Sequence, residues 1–204
     1  MTRALLIALL ALFLVPLSTH AAWWQLQDHP ASWSDANWTS SGLLPDAGRD
    51  RHAVVHVLAG RTGRWKGIFA HHTWIVVKPK GAKRFTRYDV VGWGKALRID
   101  AYPADGRWYG NVPDILVTLR GAAAERAIPE IQRAVAAYPY GASGSYVIWP
   151  GPNSNSFVAA VARTVPALRL PRQVAGLGEA KACARAIRLA ADDTAGHDPP
   201  LPVR

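Results

Sequence analysis

Five short segments rich in β-branched residues, each closed by glycine or proline, most strongly constrain the fold of this chain. They begin at Ala53, His72, Arg84, Ala96 and Asp114, and they read AVVHVLAG, HTWIVVKP, RFTRYDVVGWG, ALRIDAY and DILVTLRG. In the third segment, the side chains at odd-numbered positions should lie on one face of the strand and those at even-numbered positions on the other, as expected for a half-buried strand. The connections between neighbouring segments are short, which favours antiparallel pairing. The sequence therefore predicts an antiparallel sheet.

Two helices are predicted after the strands. AAAERAIPEIQRAVAAYP has apolar residues at helical spacing, Ile128, Ile131 and Val135, and we expect Pro129 to start or kink this helix. SYVIWP from Ser145 predicts one more short strand, and a second helix should then run from Ser154 or Asn155 to Val165. The fold class is therefore α+β, an antiparallel sheet with two main helices.

The N-terminus has the three parts of a secretory signal. Arg3 precedes an apolar run of 14 residues, Ala4–Leu17, and small residues follow at Thr19 and Ala21. Because about 20 apolar residues are needed to span a bilayer, residues 1–21 are predicted to be a cleaved signal peptide. The alternative is an uncleaved anchor in the inner membrane, with Trp23 and Trp24 at the interface. We expect an exported protein of the periplasm or cell envelope.

The remaining chain is long enough for one domain. Residues 22–50 are rich in tryptophan but interrupted by proline and glycine, and are predicted to form an irregular lead segment. Residues 51–174 should form a single α+β domain, and residues 175–204 a poorly ordered tail. The single cysteine, Cys183, excludes an internal disulfide framework and has no histidine-containing motif around it.

The chain is strongly basic, with a formal net charge of +10. Its cations are scattered, which argues against nucleic acid and favours anionic envelope components, peptidoglycan peptide or lipid headgroups, or simply a cationic surface. A membrane surface is a further candidate partner. His52 and His56 lie on a predicted strand without a nearby third ligand, so no metal site is predicted, and no cofactor is indicated. The oligomeric state is not indicated.

The stretch WPGPNSNSF places Ser154 at a helix start, where free N–H groups can stabilise an anion. A serine nucleophile needs a base, for which we select His72, and a residue that orients the base, for which Asp89 on the next strand is suitable. The amides of Asn153 and Asn155 could help to hold an oxyanion. The alternative is that Ser154 or Asn153 caps the helix and that His72 and Asp89 are ordinary strand residues.

Several blocks resemble the bacterial family of domain of unknown function 3750. They are RTGRWKGIFAHHTWIVVK, RYDVVGWG, DGRWYGN, LRGAAAERAIP and WPGPNSNSF, and the likeness covers roughly residues 38–174. This resemblance implies no activity.

A fainter resemblance connects HTWIVV, RYDVVGWG and NSNSF with permuted papain-like, NlpC-related peptidases and acyltransferases. It implies a permuted papain-like architecture in which His72 matches the family's histidine and Ser154 stands where the family has cysteine. The family's cysteine can be ionised to a thiolate, whereas a serine hydroxyl stays protonated at neutral pH. The site would therefore need His72 as a general base that removes the hydroxyl proton.

Two functions are predicted from these residues, and a purely structural envelope protein is a third alternative. The first is a non-catalytic module that binds wall peptide or lipid in a groove between the HTWIVV strand and the Ser154 helix, with Trp74, Trp93 and Trp149 as walls. The second is a serine-based hydrolase or acyltransferase for amide or ester bonds, with Ser154 and His72 as its dyad and Asp89 as the orienting residue.

Overall fold

The computed structural model describes residues 2–170 of the chain. Its elements are α1 (Thr2–Gln25), β1 (Val54–Arg61), a 3-10 turn (Arg64–Ile68), β2 (His71–Lys78), β3 (Thr86–Val90), β4 (Leu97–Ile99), β5 (Asp114–Arg120), α2 (Ala122–Ala136) and α3 (Ser154–Thr164). The α+β class is confirmed, and each of the five β-branched segments contains one strand. The predicted tail, residues 175–204, lies outside the described residues.

The five strands form one antiparallel sheet in the order β4-β3-β2-β1-β5. The hairpin of β1 and β2 is its centre, with Gly60 opposite His72 and Val54 opposite Lys78. Because β1 pairs with β5 on its other side, both central strands are buried along almost their whole length. The two central strands therefore form the buried middle of the sheet.

The two faces of the sheet carry different layers. One face presents Val55, Val57, Ile75 and Val77 to α2 and α3, with Phe157 of α3 fully buried between them. The other face presents Leu58, Trp74 and Val76 to a second cluster around Trp108. We call the first the helix face and the second the tryptophan face. Neighbouring residues of β2 therefore belong to different layers.

The two main helices agree with the apolar spacing in the sequence. In α2, Ile128, Ile131 and Val135 are buried against the sheet, and Pro129 lies inside the helix and does not start it. In α3 the residues from Ser154 to Val161 are buried, except for the half-buried Asn155. Together, the helices cover the helix face of β1 and β2.

The predicted strand SYVIWP is wrong. Residues 145–150 form no strand; instead the Val147 N–H donates to the Pro152 carbonyl at 2.8 Å, and the Ser145 hydroxyl donates to the Tyr140 carbonyl at 2.6 Å. A β-branched sequence forms a strand only beside a partner, and Pro150 and Pro152 lack the N–H groups that a ladder needs.

Helix α1 includes the predicted signal segment. Its residues 3–25 are long and apolar enough to cross a membrane, with a mean hydropathy of 2.2, and a signal sequence has the same character. The helix contains Pro16 and continues through Trp23 and Trp24, so it is longer than the apolar run itself. Its end contacts the 3-10 turn.

Candidate functional site

The start of α3 is fixed by Asn153, not by Ser154. The Asn153 side-chain oxygen accepts from the N–H groups of Asn155 and Ser156, at 3.0 Å each, and the Ser156 hydroxyl accepts from the Asn153 N–H at 2.7 Å. This reciprocal arrangement is a capping box, and it satisfies N–H groups that a helix start leaves without partners. Asn153 is therefore the residue that begins the helix.

The first turn of α3 is attached to the first residues of β2. The Thr73 hydroxyl lies 2.9 Å from the Asn155 side-chain oxygen and 3.2 Å from the Ser154 carbonyl. The Asn155 amide donates in turn to the His71 carbonyl at 3.1 Å. Both ends of the Asn155 carboxamide thus have structural partners, and the Asn153 amide donates to the Ile148 carbonyl at 2.9 Å. Asn155 therefore joins the helix to β2, and Asn153 joins it to the loop that precedes it.

His72 points to the tryptophan face and meets Asp89. Its Nε2 donates to Asp89 Oδ1 at 2.6 Å, and the other carboxylate oxygen accepts from Arg87 at 2.6 and 3.1 Å. All three side chains are nearly without exposed surface. Arg87 also donates to the Pro103 carbonyl and stacks over Trp74, with the guanidinium carbon 4.0 Å from the ring centroid. The structure thus joins two of the predicted residues and adds Arg87.

The charges of this network follow from its burial. Burial alone would raise the pKa of Asp89, but the neighbouring His72 and the Arg87 guanidinium lower it to about 2, so the carboxylate is ionised at neutral pH. Burial lowers the pKa of His72, although the Asp89 charge opposes this. We therefore describe the network as an ion pair of Arg87 and Asp89 with a neutral imidazole that donates to the carboxylate.

The imidazole of His72 is covered by Trp108. The two rings are parallel within 7°, with centroids 3.6 Å apart. Gly60, opposite His72 in the sheet, makes room for this contact, since an added Cβ would lie only 2.7 Å from the Cβ of Trp108. His72 keeps only 3% of its surface exposed. The ring is therefore held on one side by an indole and at its Nε2 by a carboxylate.

Ser154 and His72 are not brought together as a dyad. Thr73, which contacts α3, and its neighbour His72 point to opposite faces of β2, and within residues 2–170 no hydrogen bond joins the Ser154 hydroxyl to the imidazole. Ser154 itself is buried, with 3% of its surface exposed. In this structure the two predicted residues belong to different layers.

Tyr146 is the neighbour of Ser154 that sequence reasoning missed. Burial, together with the charge of Asp89, raises the pKa of its phenol, and hydrogen bonds with the side chain and backbone N–H of Ser154 oppose this rise. Its ring packs on Gly92, where a Cβ would lie 3.0 Å from the ring. The segment SYVIWP was interpreted as a strand, so the hydroxyl of Tyr146 could not be placed at the start of α3.

An aromatic cleft of about 440 Å³ opens on the tryptophan side of the molecule. Its lining residues are Trp33, Trp93, Arg98 and Tyr109. The Arg98 guanidinium donates to the Trp93 carbonyl at 2.6 Å and lies 5.7 Å from the Trp93 ring centroid. The Trp93 ring is 6.1 Å from Trp108, so the cleft and His72 lie on two sides of one indole.

The three tryptophans selected from the sequence have different positions. Trp93 lines the cleft and is 37% exposed, whereas Trp74 is fully buried and donates from Nε1 to the Ala104 carbonyl at 2.8 Å. Trp74 is therefore a core residue. Trp149 is 78% exposed on the loop before α3 and does not line the aromatic cleft. Trp33 and Arg98 were not selected, because nothing in their local sequence places the lead segment beside β4.

No group of three or more histidine, cysteine, aspartate or glutamate side chains within residues 2–170 is placed to hold a metal ion. His56 pairs with Thr118 across the strands at 2.9 Å, and His52 contacts Asp50 at 3.1 Å. The two histidines thus have separate partners.

Residues 52–180, more than half of the chain, match the family described as "Protein of unknown function (DUF3750)". This chain belongs to that family. No curated protein matches it, and no solved structure does. The matched region of this DUF3750 protein includes the whole sheet, α2 and α3.

Replacing Asp89 by alanine is expected to lower the free energy of unfolding by about 3–5 kcal/mol, because Arg87 would remain buried without its counter-ion. The measurement is chemical unfolding of the full chain in mild detergent. Asp46→Ala is the matched control, since its ion pair with Arg49 is exposed and should contribute less than about 1 kcal/mol. Equal effects of the two substitutions would contradict the structural role of the buried pair.

Acidification should destabilise the protein below about pH 6.5, the ordinary pKa of histidine. The folded chain holds the pKa of His72 below this value, so the unfolded chain binds a proton that the native chain does not, and stability falls as pH falls. Protonation of Asp89 should lower the stability further as the pH falls from about 4 towards about 2, the pKa of this carboxyl in the folded chain.

Urea unfolding between pH 7.5 and 4.5 measures the first of these effects. His72→Asn should flatten the decline but not abolish it, because burial also lowers the pKa of His56 and His71. A variant with the same pH dependence as the wild type would show that His72 does not titrate in this way.

Proposed function

We propose that this DUF3750 protein is a non-catalytic binding module of the cell envelope, which holds an acidic wall peptide or an anionic lipid headgroup in its aromatic cleft. The observation that carries the proposal is the combination of two exposed indoles, a phenol and one arginine around a single opening.

The cleft suits a ligand that has an anionic group beside an apolar one. Its volume of about 440 Å³ is within the range of small-molecule sites. The walls offer aromatic faces, with Trp33 and Trp93 6.4 Å apart and nearly perpendicular. Arg98 is held by the Trp93 and Lys95 carbonyls, and a guanidinium has five N–H donors, so donors remain for a carboxylate or phosphate.

The charge of the whole chain supports an anionic ligand. A formal net charge of +10 raises the local concentration of anions around the protein and accelerates their association. The apolar helix α1, whether it serves as a signal or an anchor, is consistent with a place in the envelope. Wall peptides and acidic lipids are the anions of that compartment.

The surroundings of His72 and Ser154 favour binding over catalysis. A serine nucleophile needs a base within hydrogen-bond distance, and within residues 2–170 no hydrogen bond joins the Ser154 hydroxyl to His72, whose ring lies against Trp108. The amides of Asn153 and Asn155 have structural partners and so are not free donors aimed at an oxyanion. In this interpretation His72 and Asp89 position Trp108 behind the cleft.

Titration with a soluble disaccharide peptide of peptidoglycan should show binding to the full chain in mild detergent, measured by calorimetry. Arg98→Ala is expected to weaken binding at least about tenfold, because a hydrogen bond to a charged group contributes about 1.5–3 kcal/mol. Trp93→Ala should also weaken it. Arg49→Ala removes an exposed cation outside the cleft and is the matched control.

A parallel titration with glycerol phosphate, the headgroup of an anionic lipid, distinguishes the two ligand sources. If only one of the two ligands binds, and if Arg98→Ala weakens that binding, this ligand shows whether the natural one is a wall peptide or a lipid headgroup. If neither ligand binds, or if Arg49→Ala weakens binding as much as Arg98→Ala, the cleft is not an anion-binding site.

The alternative function is a serine hydrolase or acyltransferase, and the short His72–Asp89 contact of 2.6 Å is the observation that favours it. An imidazole held by a carboxylate is the second half of a triad. The tyrosine hydroxyl beside Ser154 is a further polar group that such a site could use.

We expect that a fluorophosphonate probe does not label the wild-type chain, because within residues 2–170 no histidine forms a hydrogen bond with the Ser154 hydroxyl. The measurement is gel fluorescence of wild type, Ser154→Ala and His72→Ala, and Ser156→Ala is the control at the neighbouring hydroxyl. Wild-type labelling that is lost in Ser154→Ala and His72→Ala, and kept in Ser156→Ala, would replace the binding module by the hydrolase.

A further inference from the structure

The end of α1 is built into the domain. The Trp24 indole donates to the Arg64 carbonyl at 2.9 Å, and the ring is 2% exposed. Gly67 makes room for it, since a Cβ there would overlap both the indole and the Thr62 carbonyl. One helical turn earlier, His20 Nε2 donates to the Ile68 carbonyl at 3.1 Å. The last two turns of α1 thus rest on the 3-10 turn.

The remainder of α1 is without partners in the described chain. None of the apolar window within residues 3–25 is buried, and large apolar side chains such as Leu5, Ile7 and Phe13 are more than half exposed. Residues 3–19, which precede the contacts of His20 and Trp24, span about 26 Å at 1.5 Å per residue, close to the bilayer's hydrocarbon thickness of about 30 Å. If α1 crosses a bilayer, its last turn emerges in the headgroup layer.

The 3-10 turn has the composition of a membrane interface. Trp65 and Phe69 are 60% and 62% exposed, and Arg64 and Lys66 beside them are exposed cations. Residues 61–70 contain three cations and no acidic side chain. Trp23, on the last turn of α1, is also half exposed. We call Trp23, Arg64, Trp65, Lys66 and Phe69 the interfacial patch.

The height of the patch follows from its contacts. The 3-10 turn binds His20 and Trp24, which lie in the last two turns of α1, so in a bilayer crossed by α1 it would be level with the end of the hydrocarbon layer. Tryptophan is enriched at this depth, and cations there attract anionic headgroups. Exposed aromatic rings next to cations are suited to this layer and are unfavourable in water.

We propose that α1 is retained as a membrane anchor and that the interfacial patch lies in the headgroup layer of the bilayer which α1 enters. The patch then fixes the orientation of the domain on the membrane. This inference is independent of the ligand in the aromatic cleft, since it uses neither Trp93 nor Arg98.

The test is a fluorescent label on the full chain, reconstituted in vesicles of phosphatidylethanolamine and phosphatidylglycerol. Cys183 is replaced by serine, and an environment-sensitive dye is attached to Trp65→Cys or, in a second variant, to Phe69→Cys. Lys83→Cys is the control, because Lys83 is exposed in the turn after the far end of β2, and this eight-residue strand is about 26 Å long.

The proposal expects a blue-shifted emission at positions 65 and 69 that spin-labelled lipid quenches, and an unquenched label at position 83. Mass spectrometry of the protein extracted from cell membranes should show that residues 2–21 are present. A chain that begins at residue 22 or nearby, an unquenched label at both 65 and 69, or equal quenching at 83 would overturn the proposal.

Discussion

The alternation of side chains along β2 decides how His72 and Ser154 can be placed relative to one another. Thr73 points to the helix face and holds the first turn of α3, so His72 must point to the tryptophan face. A shift of β2 by one residue would exchange the two sets of side chains and would expose the apolar core, which fixes the register strongly. The start of α3 contacts Thr73, the residue next to His72 in β2, but the imidazole of His72 lies on the opposite face of the sheet.

One buried ion pair contacts the central side chains of the tryptophan face and holds them in position. Arg87 and Asp89 lie two residues apart on β3, on the same side of the strand, and they meet His72 and Trp74 from β2. A charged pair in this position is costly to desolvate and becomes tolerable because each group has several hydrogen-bond partners. The pair orients His72, His72 supports Trp108, and Trp108 forms the layer behind Trp93. The buried ion pair is thus connected to the aromatic cleft through His72, Trp108 and Trp93.

Sequence reasoning predicted the parts of the fold that depend on local periodicity. The strands around Val55, Ile75 and Tyr88 and the helix with Ile128 and Ile131 follow from apolar spacing, and the His72–Asp89 contact was expected from neighbouring strands. The segment from Ser145 was misjudged, because β-propensity cannot show whether a partner strand exists.

The cleft and the covering of His72 could not be predicted, since loops far apart in the chain form them. Trp33 comes from the lead segment, Trp108 from the connection between β4 and β5, and Arg98 from β4. Gly60 was the available signal for the stacking of Trp108, because a glycine in a central strand marks a close approach. The permuted papain-like arrangement remains a prediction that the antiparallel sheet alone does not decide.

The seating of Trp24 against Gly67 also bears on the order of events during biogenesis. A peptidase cuts a chain that has opened locally, and the bond after Ala21 lies inside a helix whose neighbour His20 is bonded to the folded domain. If this bond is a cleavage site, cutting it would compete with folding, because a folded chain would first have to release the Trp24 indole from its contact with Gly67.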